Sequence, residues 1–459
     1  ELWIAGETYY PDDQDEYENN NRESTFEILP GVKLRGGFRG DESRLEQRDL
    51  SSDSTIFSGD IDHTPADKTG NSFHVVTLTH TVHDESMLDG IVIEKGNADN
   101  SSKNGRGGGI LNLEGVPVVK NCIIHDNYAS HYGGGFYSEK STPVIDKCNF
   151  INNRTGNDGI GGGLYISSNK KISVINSSFK NNHAKSGAGM ALMGKGVLAN
   201  TKFSLNKSAN KGGGFYTDSA YIEFDGCRFL RNEANSGGGI YLNRGKHFVY
   251  GNQLRGNLAY KDGGAIYGTK GQMQIINTVL SGNKASQNGG AIYSNSIVAS
   301  ADNTLINSTL SGNYAGNEGG SLYFIGDNSG LQVINSVFTK NSIDSKHGIM
   351  HINGEISYWN SNIIGSGAPN NWDTSLGNNR DDNFDVLNNL FVDDIVYSSN
   401  ISTMGDFNLT CSSNLKNKGR EQDAPETDIS GVIRTNTPDV GAYELENISI
   451  KVKDTTLLL

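Results

Sequence analysis

The chain has 459 residues, 35% of them hydrophobic, with 58 Gly and only 8 Pro. So low an apolar share argues against one thick globular core, and the recurrence of Tyr and Phe at fixed spacings argues against disorder. The formal net charge of −13 argues against general binding to nucleic acid or to an anionic membrane surface, and no run approaches the roughly 18 apolar residues of a membrane span.

In chain order, the opening Glu1-Leu-Trp-Ile-Ala-Gly6 is read as the start of a mature chain or as an artificial edge of the sequence. Residues 1–105 hold short apolar runs such as Phe26-Glu-Ile-Leu29 and Val32-Lys-Leu-Arg-Gly-Gly-Phe38 without a repeat, and are expected to form irregular capping coils. Asp41 to Arg48 is expected to hold a short helix. From 106 to 350 one phrase returns: a β-type run, an Asn, a short loop, then a Gly-rich triplet followed by an apolar residue and often Tyr. Instances are Gly133-Gly-Gly-Phe-Tyr137, Gly212-Gly-Gly-Phe-Tyr216 and Gly289-Gly-Ala-Ile-Tyr293. The Asn row Asn127, Asn153, Asn182, Asn206, Asn232, Asn257, Asn283, Asn313 and Asn341 makes eight steps, so the period is about 27 residues, a solenoid spacing.

Three residues before each of these Asn stands a large apolar residue, among them Phe150, Phe179, Phe203 and Phe229, and two before that a small one, among them Cys122, Cys148 and Cys227. Positions of the same parity share a strand face, so both rows should point inward, with the three cysteines as small core thiols; a disulfide, strained by parallel stacking, is the alternative. A second row, Asn121, Asn176, Asn200, Asn277, Asn307 and Asn335, marks another bend. Beyond 351 the phrase decays into weak strands, a polar loop over 365–385 and a C-terminal cap; residues 445–459 look like a linker or a tag remnant. The expected fold is all-β: a β-solenoid with irregular N- and C-terminal capping coils.

The β-Asn-loop-Gly-Gly phrase resembles polymorphic outer-membrane-protein repeats. Trp3-Ile-Ala-Gly-Glu-Thr-Tyr9, Gly36-Gly-Phe-Arg-Gly-Asp-Glu42 and Phe57-Ser-Gly-Asp60 resemble the first coils of Bacteroidota right-handed parallel β-helix proteins. Asp439-Val-Gly-Ala-Tyr-Glu444 resembles the end of their choice-of-anchor Q group. The resemblance implies a right-handed helix of the pectate-lyase-like superfamily, exported to the periplasm, cell surface or medium of a Gram-negative bacterium. Its members include lyases, glycosidases such as fucan hydrolases, and adhesins, so it leaves the chemistry open.

Against the acidic background, cations gather beside the Asn row on consecutive coils: Lys180, Lys202, Arg228, Arg231 and Arg255, with Lys185 and Lys207 in the loops. Stacked, they would form a basic strip for carboxylate or sulfate groups, with Tyr260 offering a ring to a sugar. Glu233 and Asp262 on adjacent coils are the expected acid/base pair of a glycoside hydrolase. Asp158 and His183 are further candidates. The expected substrate is an extended anionic polysaccharide, with fucan-like sulfated chains included, bound by a monomer. A uronate lyase using Lys207 or Arg231, and a non-catalytic adhesin, are the alternatives. No cofactor is required by the hydrolase; calcium stays open for the lyase, with Gly59-Asp-Ile-Asp62 and Asp381 to Asp385 as weak clusters.

Overall fold

The computed structural model describes residues 1–13, 20–64, 66–79, 86–100, 105–296, 302–344, 350–359, 361–363, 378–381, 390–393, 400–435 and 437–445. They form a right-handed parallel β-helix. Among them, three parallel sheets of nineteen, thirteen and ten strands run the length of the coil. One complete coil shows the plan: Phe215–Asp225 in the first sheet, Arg228–Leu230 in the second and Glu233–Ala234 in the third. The Gly-rich triplet then carries the chain back to Ile240–Tyr250 in the first sheet.

Register is kept one residue per coil. Phe150, Phe179, Phe203 and Phe229 are direct partners. They are fully buried, and their rings lie 4.6, 4.8 and 4.7 Å apart and nearly parallel. Burying such a ring contributes about 1.5–3 kcal/mol relative to leaving it in water. Cys122, Cys148 and Cys227 are buried and free, and burial pushes the Cys227 thiol up to about 12. They are core residues, as their register predicts.

The corner between the second and third sheets is held by the Asn row. The backbone N–H and side-chain amide of Asn206 both donate to Oδ1 of Asn232, at 3.1 and 2.9 Å, and its second amide hydrogen goes to the Phe179 carbonyl at 2.9 Å. The same pattern repeats from Asn153 to Asn313. Each buried amide thus has its partners. The residue before each ladder Asn turns the corner with positive φ, including Asn181 at 55° and Arg231 at 54°. In the second Asn row, Asn121, Asn176, Asn200, Asn277, Asn307 and Asn335 take φ between 45° and 52°, which Asn tolerates better than most residues.

The helix expected over Asp41 to Arg48 shrinks to the 3-10 turn Leu45–Gln47. The C-terminal segment folds back along the outside of the second sheet. Phe407, Leu409, Leu415, Val440, Ala442 and Tyr443 pack with the outward Val279 and Val337. Asn277 and Asn307 donate to the carbonyls of Thr427 and Asp439 at 2.6 and 3.1 Å, and the buried Arg434 bonds Glu444 at 2.9 Å and Asn277 at 3.1 Å. Much of 365–385 and all of 446–459 lie outside the described residues.

Candidate functional site

The basic strip divides at the Asn corner. Lys202 and Arg228 are partners on the outward side of the second sheet, with Lys180 and Arg255 in the neighbouring outward row. Arg231 stands exposed at the corner itself. Arg255 is not available to a substrate: its Nη1 donates to the Gly405 carbonyl at 3.0 Å and its guanidinium covers the Phe407 ring. It anchors the returning C-terminal segment, and the expectation that it binds substrate is corrected.

The remaining candidates, Asp262 excepted, meet on the third sheet. The residue after each ladder Asn points outward, giving the column Tyr128, Arg154, His183, Lys207, Glu233 and Leu258. Along it runs an open groove of about 560 Å³, lined by Arg154, Asn157, His183, Lys185, Lys207, Glu233 and Tyr260. A second hollow of about 540 Å³ continues it toward the N-terminus, sharing Arg154 to Asn157 and adding Tyr128, Asn97 and Lys68. Six coil steps separate Asn97 from Tyr260, so the trough is about 30 Å long at roughly 4.8 Å per step.

At its centre the partners are specific. Lys207 Nζ lies 3.1 Å from Glu233 Oε2, and the Tyr260 hydroxyl donates to the same oxygen at 3.3 Å. The Asn181 carbonyl faces His183 Nδ1 at 3.1 Å and accepts its proton, which leaves Nε2 as the unprotonated nitrogen. Burial, then the charges of Arg154 and Lys207, hold the imidazole below its usual pKa. His183 is therefore a neutral base between two cations on adjacent coils. Lys185 ties down the exposed Asp158 at 2.6 Å.

Asp262 goes elsewhere. Its Oδ1 accepts from the backbone N–H and amide of Asn288, at 3.1 and 2.9 Å. Its charge is felt by Tyr267, Tyr293 and Tyr323, part of the outward tyrosine stack with rings 4.7–5.1 Å apart. Burial raises its pKa. Asp262 does not line the groove, so the expected pairing with Glu233 is corrected: three residues of third-sheet turn carry Asp262 round toward the first sheet. Arg154 was missed, although its place directly after Asn153 matches that of His183 after Asn182.

Among the described residues no group of three or more His, Cys, Asp or Glu could hold a metal. The groove's one carboxylate beside several cations does not suit calcium, which takes roughly six to eight oxygen ligands. Asp60 is paired with Lys95 at 2.9 Å and Asp62 holds Thr64; Asp385 lies outside the described residues. Among them no helix is long and apolar enough to cross a membrane.

Residues 69–229 and 155–310 match a family described as a right handed beta helix region, over half of the chain in all. The crystal structure of pectate lyase Pel9A aligns with 81% of this chain and 88% of its own, at 16% identity and a TM-score of 0.44. No curated protein matches. The chain belongs to the right-handed β-helix family.

Proposed function

We propose that the third-sheet groove binds an extended anionic polysaccharide and cleaves it by β-elimination at a uronate, in an exported protein. The observation that carries this reading is the neutral His183 set between Arg154 and Lys207. In that arrangement Arg154 neutralises the uronate carboxylate, which acidifies the neighbouring C5 hydrogen. Nε2 of His183 takes that proton. The C–H electron pair becomes the C4–C5 double bond, the C4–O bond breaks, and the leaving oxygen takes a proton from the Lys207 ammonium, which Glu233 orients. Tyr260 offers its ring to a sugar further along the chain.

A hydrolase needs two carboxyl groups facing one glycosidic bond, and Glu233 is the single carboxylate lining this groove among the described residues. The test is to incubate the protein with uronate and sulfated polysaccharides. The reading expects the ultraviolet absorbance of an unsaturated uronate to appear with each new reducing end. New reducing ends without that absorbance would restore the hydrolase, and neither product would leave a glycan-binding protein.

A further inference from the structure

A second cleft lies on the first sheet, where the long strands bend. It has a volume of about 450 Å³ and is lined by Ser168, Asn169, Lys195, Tyr221, Arg244 and Lys246, with Gly194 and Gly245. The sequence shows why it exists. The strand Met190–Ala199 has ten residues where its neighbours Leu164–Ile175 and Phe215–Asp225 have twelve and eleven. The short coil cuts the bend, and the register slips between Ser168 and Lys171 and between Ala191 and Lys195. Gly194 makes the shortcut with φ of 144°, so close to Ser168 that a Cβ would lie 2.0 Å from its carbonyl oxygen. The missing residues leave the notch.

The walls of the notch are cationic. Lys171, Lys195, Tyr221 and Lys246 are successive register partners, so Lys171 and Lys195 stand on neighbouring coils and Lys246 two coils further on; like charges gathered this way are unfavourable without a counter-charge. Lys171 is answered by Glu223 at 3.1 Å and Arg244 by Asp218 at 3.2 Å. Exposed Lys195 and Lys246 have no carboxylate partner among the described residues. Between them stands the half-exposed Tyr221, its hydroxyl fixed on Glu223 at 2.7 Å and its ring packed against Phe248.

We infer that this notch is a second, non-cleaving binding site for an anionic glycan, in which a sugar ring rests on Tyr221 and its carboxylate or sulfate is held by Lys195, Lys246 and Arg244. The identity of the polymer rests on the proposed function; the existence of the site does not. The two carboxylates nearby are both engaged in ion pairs and no His lines the notch, so it has no counterpart of the neutral His183 of the groove. Holding one stretch of a long chain here raises the local concentration of the rest at the groove on the third sheet.

The test uses the whole protein with Lys195→Ala and Lys246→Ala combined, Tyr221→Ala alone, and a control, Lys33→Ala with Lys147→Ala, that removes the same charge elsewhere. Retardation is measured in gels containing polygalacturonate, dextran sulfate or neutral dextran, alongside turnover of a short uronate oligosaccharide. The notch variants should lose several-fold in retardation by at least one acidic polymer relative to the control. They should keep the kcat on the short substrate and show no change in neutral dextran. Retardation equal to the control's in both acidic gels overturns the inference, as does equal loss in the control. Failure of the wild-type protein to cleave any uronate would overturn the groove chemistry while leaving the retardation result to decide the notch.

Discussion

Lys207 and Glu233 are register partners on adjacent third-sheet strands, and their side chains close the same gap as an ion pair at 3.1 Å. The pair is half open to water, so it adds little to stability; in the proposed reading its effect is to aim the ammonium along the groove. Glu233→Gln keeps the shape and removes the charge. We expect the fold to be unchanged and kcat to fall by about tenfold, a loss of aim rather than of a reacting group. Complete loss, measured by initial rates on a uronate polymer, would put Glu233 in the chemistry itself.

His183→Ala should lower kcat by roughly 10²–10⁴, the usual range for a general base. Because burial and the neighbouring cations hold the imidazole below 6.5, the neutral, active form persists below that pH, and the acidic limb of the rate profile should lie under it. Arg154→Met removes the neighbouring cation with the larger effect on the imidazole. The limb should then move upward, toward 6.5, whatever happens to its height. A limb that stays in place in a full pH–rate profile would mean that another group titrates.

His247 tests stability in the same pH range from the other side of the coil. Its side chain is buried; Nε2 donates to the Arg244 carbonyl at 2.7 Å and Nδ1 has no partner. Burial lowers its pKa from 6.5 to about 4. The unfolded chain therefore binds a proton as pH falls through 6.5, while the folded chain resists until about 4. Stability present at pH 7 is lost across that window, on the order of 3 kcal/mol. His247→Leu should flatten this part of the urea-midpoint profile between pH 7 and 4; an unchanged slope would place the acid sensitivity elsewhere.

Phe203→Ala, in the middle of the phenylalanine stack, should cost roughly 3–5 kcal/mol. A loss under about 1 kcal/mol in chemical denaturation would contradict complete burial.

Asn206→Ala leaves the backbone N–H and amide of Asn182, 3.0 Å from the lost Oδ1 in both cases, without an acceptor in the core. Each stranded group costs about 1–3 kcal/mol, so the substitution should destabilise by roughly 2–6 kcal/mol in all, of the same order as Phe203→Ala despite its smaller loss of volume. Thermal unfolding of the two variants side by side checks the comparison.

Much of this molecule is legible in the sequence. Asn127 to Asn341, the Phe150 to Phe229 row and the three small cysteines announce a coil of about 27 residues, because in a solenoid each residue meets its own counterpart one coil away. Repetition along the chain is then repetition in space, and the inward columns follow from parity alone. The same rule applied to the residue after each ladder Asn would have found Arg154 together with His183, Lys207 and Glu233.

What the repeat could not decide is where outward side chains land and what covers them. Lys202 and Lys207 are five residues apart, yet the corner at Leu205 and Asn206 sends them to different sheets, so a strip drawn along the sequence becomes two faces. Asp262 lies only three residues beyond the Glu233 strand's partner, but the turn before Gly263 swings it to the tyrosine stack. Arg255 looked free until the C-terminal segment, 150 residues later, returned to lie over it. Spacing determines the coil because its contacts are between like positions on adjacent turns; only the tertiary structure determines the groove, because corner direction and the path of a non-repeating tail arise from contacts that have no period.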